Sequence, residues 1–217
     1  MRGLAFRRLS GVWTSVVKTA TGFFGAVALS ACSATIPSST DMVAGGETMQ
    51  PAGYGQLCQR HPDLCDLNGA AAAEAPSLEM TADRFGLLAR VNSQVNRRIT
   101  YRNDREVYGV AEHWTPADRV GDCEDYALTK LTELLAEGIP RNVMRLASAR
   151  QRSGVPHAVL TIRTDRGVYV LDNNYDYVVP WEQLGYRNWR WEQAGSFRWQ
   201  TLTGDQLAAA DRRGRSQ

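Results

Sequence analysis

The chain has 217 residues, 43% of them hydrophobic and 22% charged, enough for one domain with a real core. The formal net charge is only +2, and several of the basic residues lie at the ends: Arg2, Arg7, Arg8 and Lys18, then Arg212, Arg213 and Arg215. The rest of the chain has no basic excess. That argues against a nucleic-acid partner, which needs a concentrated basic face.

Residues 1–32 read as an export signal. A basic leader precedes "TATGFFGAVALSA", an apolar, small-residue-rich run too short to span a bilayer. The run ends in "LSAC", which resembles the bacterial lipobox and makes Cys32 a candidate for lipidation. Ordinary signal cleavage near Ala34 is the alternative. With Ser33 beside the cysteine, a lipid anchor would point to the outer membrane, facing the periplasm.

Residues 33–79 read as a tether, rich in Gly, Ser, Thr, Pro and Ala, interrupted by "LCQRHPDLC". In an exported chain Cys58 and Cys65 are candidates for a disulfide. A zinc site using Cys58, His61 and Cys65 is the alternative, although a fourth ligand is not evident. Either way Cys123 is left alone.

The ordered region is expected over 80–203, with 204–217 a polar C-terminal tail. Thr81 can cap a helix in which Phe85, Leu88, Val91 and Val95 follow helical spacing. "RRITYRND" is a short extended piece that breaks at Asn103-Asp104, and Thr115-Pro116 marks a turn or helix start. A second helix starts at or just before Cys123, carries Ala127, Leu128, Leu131, Leu134 and Leu135 on one face, and stops at Gly138 and Pro140. "RLASARQ", "HAVLTIRT" and "VYVLDN" then read as strands, and the tryptophan-rich tail "YRNWRWEQAGSFRWQTL" as more strand. Helix followed by antiparallel strands makes an α+β layered fold.

Cys123 lies in "GDCEDYALTK", flanked by Asp122, Glu124 and Asp125, whose negative charge disfavours a thiolate. A thiol nucleophile needs a base, and the base needs an orienting acceptor. His157 and Asp172 are the candidates. If Asp165-Arg166 forms a two-residue loop, Thr164 faces Gly167, and His157 and Asp172 become diagonal neighbours on one sheet face. A three-residue loop over Gly167 would put Asp172 on the other face. Each residue also has a plain structural reading: Cys123 as a small buried hydrophobe, His157 as a strand-edge histidine, Asp172 as a turn former, the acidic cluster as a solvated helix start. Trp181, Trp189, Trp191 and Trp199 are expected to pack rather than line a groove.

"HWTPADRVGDCEDYA", "HAVLTI" and "VLDN", in that order, resemble the bacterial transglutaminase-like cysteine peptidases, the family that includes the LapG-type periplasmic adhesin proteases. The resemblance runs from about Val91 to Trp199. It implies a papain-like fold in its transglutaminase variant, with Cys123 as nucleophile, His157 as general base and Asp172 as orienter. It also implies calcium near the cysteine, held by Asp122 and Glu124, with Asp125 a further candidate. The expected activity is hydrolysis of a protein substrate through an acyl-enzyme. The alternatives are a transglutaminase or acyltransferase using the same triad, or a non-catalytic periplasmic binding lipoprotein. The LapG-type branch further implies a surface adhesin substrate and an inner-membrane regulatory receptor. An outer-membrane anchor at Cys32 would place this chain away from such a receptor.

Overall fold

The computed structural model describes residues 36–65, 76–193 and 198–215; the expected export signal and Cys32 lie outside them. In chain order the elements are β1 (Ala44–Thr48), α1 (Tyr54–Arg60), α2 (Pro62–Cys65), α3 (Ala82–Arg98), β2 (Thr100–Tyr101), α4 (Asp104–Val107) and β3 (Val120–Gly121). Then come α5 (Cys123–Ala136), β4 (Met144–Arg150), β5 (Pro156–Thr164), β6 (Gly167–Leu171), β7 (Val179–Pro180), β8 (Arg187–Glu192), β9 (Trp199–Leu202) and α6 (Gly204–Arg215). A seven-stranded antiparallel sheet has the order β1-β9-β8-β4-β5-β6-β7, and β2 and β3 form a separate parallel pair. None of the described helices is long and apolar enough to cross a membrane.

The alternating strand pattern separates two cores. Leu146, Leu160, Ile162, Tyr169 and Leu171 pack with α3 and α5, whereas Ala147, Val159, Val168 and Val170 pack with Trp181, Trp189 and Trp191. Thr81 caps α3 as expected, its hydroxyl accepting from the Arg84 N–H. Trp114 and Trp199 join the α3–α5 core, and Trp199 meets Tyr54 edge to face. Trp114, Trp181, Trp189, Trp191 and Trp199 are thus packing residues.

Two expected boundaries differ. The composition of 33–79 suggests a tether, yet β1 pairs with β9, and Tyr54 and Leu57 are fully buried in the core. Cys58 and Cys65 form a disulfide joining α1 to α2, which removes the zinc reading because neither thiolate is free. Beneath it, Arg141 donates to both Glu192 carboxylate oxygens at 2.8 Å, and Tyr54 Oη donates to Glu192 at 2.7 Å. The expected C-terminal tail is α6, whose Ala210 is buried in the second core.

The β5–β6 hairpin positions the site. Thr164 pairs with Gly167 and Leu160 with Leu171, the register of a two-residue loop at Asp165-Arg166. Gly167 has φ +98°, and a Cβ there would lie 2.6 Å from the backbone of Ser39, so glycine suits both the turn and the packed N-terminal segment.

Candidate active site

The N-terminus of α5 places Cys123, with Asp122 as N-cap. The turn before it is tight: Asp122 N–H donates to Asp125 Oδ2 at 3.4 Å, and a side chain at Gly121 would meet that carboxylate within 2.6 Å. Loop 112–117 is pinned to the same helix. Thr115 N–H donates to Asp125 Oδ1 at 3.0 Å and Ala117 N–H to Thr129 Oγ1 at 2.8 Å. Asp125 therefore serves loop amides. It is not part of the acidic cluster at this site, contrary to its candidacy as a ligand.

The start of β5 lies against the cysteine, since the Ala158 N–H donates to Sγ at 3.3 Å. The neighbouring His157 is buried, and its Nε2 lies 2.7 Å from Asp172 Oδ1. Asp172 is fully buried and well supplied with donors: Asn174 N–H reaches Oδ1 at 2.9 Å and Tyr186 Oη reaches Oδ2 at 2.8 Å. Burial pushes its pKa up, but these bonds and the imidazole outweigh burial and hold it below the usual carboxylate range. Tyr186 also stands edge-on to the His157 ring, 5.7 Å between centroids, and accepts from Asn174 Nδ2 at 3.2 Å. Cys123 and His157 both line an open cleft of about 400 Å³.

Asp104, Asp122 and Glu124 form a buried acidic cluster with candidate ligand oxygens within 4.8 Å of one another. Asp104 Oδ1 and Asp122 Oδ1 are buried without a hydrogen-bond partner, while the Asp104 N–H donates to Asp122 Oδ2 at 3.2 Å and the His113 N–H to Asp104 Oδ2. Burial, then the charge of Asp122, pushes Glu124 up to about 9. Burial, then the charge of Glu124, pushes the Cys123 thiol well above its ordinary value, and Sγ lies 3.1 Å from Glu124 Oε2. An all-oxygen donor set with two orphaned carboxylate oxygens fits a hard divalent cation.

The structure thus brings Cys123, His157 and Asp172 to one site, with Asp122 and Glu124 beside them. It adds Asp104, Tyr186 and Asn174, which the sequence reading missed. Asp104 carries only the signal of a break at Asn103-Asp104, and Tyr186 reads as the first residue of the tryptophan-rich strand segment. Also unforeseen is Lys130 on α5, fully buried with no hydrogen-bond partner for Nζ; burial lowers its pKa to about 7 although Asp172 and Asp176 pull the other way.

The family model of the bacterial transglutaminase-like cysteine proteinases (BTLCP) matches residues 44–206. The chain belongs to this family. It is a transglutaminase-like cysteine peptidase, and the matched span takes in β1 and the disulfide-linked α1 and α2. Among solved structures, calcium-bound LapG of Legionella pneumophila is 19% identical with a TM-score of 0.45, over 76% of this chain and 92% of that chain. A second Legionella pneumophila LapG structure is 23% identical with a TM-score of 0.42, over 58% of this chain and 76% of that one. The EGTA-treated form is 22% identical with a TM-score of 0.42, over 58% and 75%. No curated protein matches the chain.

Proposed function

We propose that this peptidase is exported and hydrolyses a peptide bond of a protein substrate through Cys123, His157, Asp172 and an acyl-enzyme. The observation that carries this reading is the buried His157–Asp172 contact of 2.7 Å beside a cysteine at a helix N-terminus. Asp172 accepts from Nε2–H and so leaves Nδ1 as the basic nitrogen of His157, an assignment made from the hydrogen bonds. Nδ1 takes the proton from Cys123 Sγ, and the thiolate attacks the scissile carbonyl carbon. Backbone N–H groups at the start of α5, that of Cys123 among them, stabilise the oxyanion. As the tetrahedral species collapses, His157 returns the proton to the leaving amine. It then deprotonates a water that attacks the thioester, which releases the acid and restores the thiol.

Asp104, Asp122 and Glu124 would hold a calcium ion, supported by their two buried carboxylate oxygens without partners. Bound there, calcium would offset the negative charge that otherwise opposes a thiolate at Cys123. The chain's own donors act in the same direction, since the Ala158 N–H on Sγ lowers the thiol pKa.

The disulfide between Cys58 and Cys65 supports an exported, oxidising location. We place the protein in the periplasm, anchored to the outer membrane through lipid on Cys32.

The test is cleavage of a fluorogenic peptide library by wild type and Cys123→Ala in the presence of a labelled primary amine. The expected result is cleavage by wild type only, with little amine incorporated. Incorporation at the expense of cleavage would establish an acyltransferase instead.

A further inference from the structure

Among the exposed large apolar side chains of the described residues, Tyr101 and Val155, at 56% and 54%, are the two that line the cleft holding Cys123 and His157. Singly exposed apolar residues are ordinary, but two that face one cleft beside a thiol and an imidazole form a continuous apolar lining that a ligand can cover. They arrive by separate routes. Tyr101 lies on β2, whose partner β3 leads into Cys123, and Val155 lies in the turn that leads into His157. Tyr126 and Pro156 extend the apolar lining, and Gln151, Asn173 and Asn174 supply uncharged polar groups. Among the described residues, no Asp, Glu, Lys or Arg lines this cleft. A carboxylate entering it would lose water and meet the negative charge of Asp122 and Glu124, which lie close enough to add to burial in raising the Tyr101 pKa.

The backbone of β2 suits an extended ligand. Thr100 N–H donates to Arg119 O at 2.7 Å and Arg102 N–H to Gly121 O at 2.9 Å, so these residues face β3. Tyr101 stands between them and turns its own N–H and C=O to the opposite edge. On that edge Ile99 O accepts from Tyr126 Oη, and Tyr126 is itself a cleft residue. A polypeptide laid there adds a strand to β2 by main-chain hydrogen bonds, with side-chain choice left to the cleft.

We propose that Tyr101 and Val155 are specificity-determining residues, which select an apolar substrate side chain next to the scissile bond of a segment bound extended along β2. The inference rests on the peptidase reading above and adds the substrate class: unfolded or extended polypeptide, apolar and uncharged at this position. Tyr101 supplies a flat apolar face and Val155 a branched aliphatic one, and an occupant covers both from water.

The test uses the full chain with Cys123→Ala, so that binding is read apart from cleavage. It is titrated by fluorescence anisotropy with fluorescein-labelled hexapeptide pools, each with one position fixed as Leu, Phe, Ser, Asn or Lys. At one fixed position the Leu or Phe pool is expected to bind about tenfold more tightly than the Ser or Lys pool. Tyr101→Ala and Val155→Ser, each added to Cys123→Ala, are expected to erase that preference, and Tyr101→Phe to keep it. No apolar preference, or a preference that survives both substitutions, would overturn the inference. If the preference is present but wild type cleaves none of the pools, the specificity assignment stands and the hydrolase reading falls.

Discussion

His157 Nε2 and Asp172 Oδ1 meet at 2.7 Å because a two-residue turn at Asp165-Arg166 sets the register of the strands that carry them. Shifting one strand by a single residue would turn Asp172 to the other sheet face. The contact is further secured from outside the hairpin, by the Tyr186 hydroxyl on the second carboxylate oxygen.

That third group gives a first prediction. Tyr186→Phe keeps the ring beside His157 but leaves Asp172 Oδ2 without its donor. A hydrogen bond to a buried charged group contributes about 1.5–3 kcal/mol, so kcat/KM should fall by roughly tenfold or more. KM should change little, because Tyr186 is not among the residues lining the cleft. Steady-state kinetics on a cleaved library peptide would check this, and an unchanged kcat would show that Asp172 is oriented without Tyr186.

The acidic cluster gives a second. Burial holds Glu124 at about 9 against an ordinary 4.5, and Asp125 at about 7. In the cation-free protein these carboxyls keep protons that the unfolded chain has lost. Stability should therefore fall as pH rises from about 4.5 to about 9. Calcium binds the ionised carboxylates of the folded state, so the rise in Tm that it causes should grow with pH across this window. Asp104→Asn, which keeps an acceptor for the His113 N–H but removes a charge, should shrink that rise at each pH. Melting curves with calcium and with a chelator decide it; a rise independent of pH, or unaffected by Asp104→Asn, would count against a cation at this cluster.

The parts of this site differ in how readily they can be read from sequence. His157 and Asp172 fall out of strand alternation once the loop length is assumed, and Cys123 out of a helix start. Asp104 does not, because it reaches Asp122 across an irregular stretch whose course depends on the burial of Trp114 and on amides donated to Asp104 and Asp125. The N-terminal segment misleads for another reason. Most of β1 is exposed, so it lacks an apolar alternation, and its place in the sheet comes from pairing with β9. In α6, too, the one apolar run, Leu207 to Ala210, is short and lies in a polar stretch, and β8 and Trp-rich packing give Leu207 and Ala210 their partners.

A third prediction concerns that N-terminal segment. The disulfide closes a short loop with a sequence separation of 7, for which chain entropy predicts about 2.5 kcal/mol of stabilisation. Cys58→Ser with Cys65→Ser should lower the denaturation midpoint accordingly, without changing the family fold. The loss should be larger for Tyr54→Ala, which empties a fully buried site and removes the hydroxyl that Glu192 accepts from. Urea unfolding followed by tryptophan fluorescence would rank them; equal or reversed losses would show that α1 is held chiefly by the disulfide.

The most direct measurement is the rate at which a thiol-directed peptidyl suicide probe labels the protein, read by intact mass in wild type, Cys123→Ala and His157→Ala. The expected result is a single label on wild type, none on Cys123→Ala, and labelling slowed by about a hundredfold or more in His157→Ala, as loss of a general base requires. Equal labelling of wild type and His157→Ala would contradict the assignment of His157 as the base that activates Cys123.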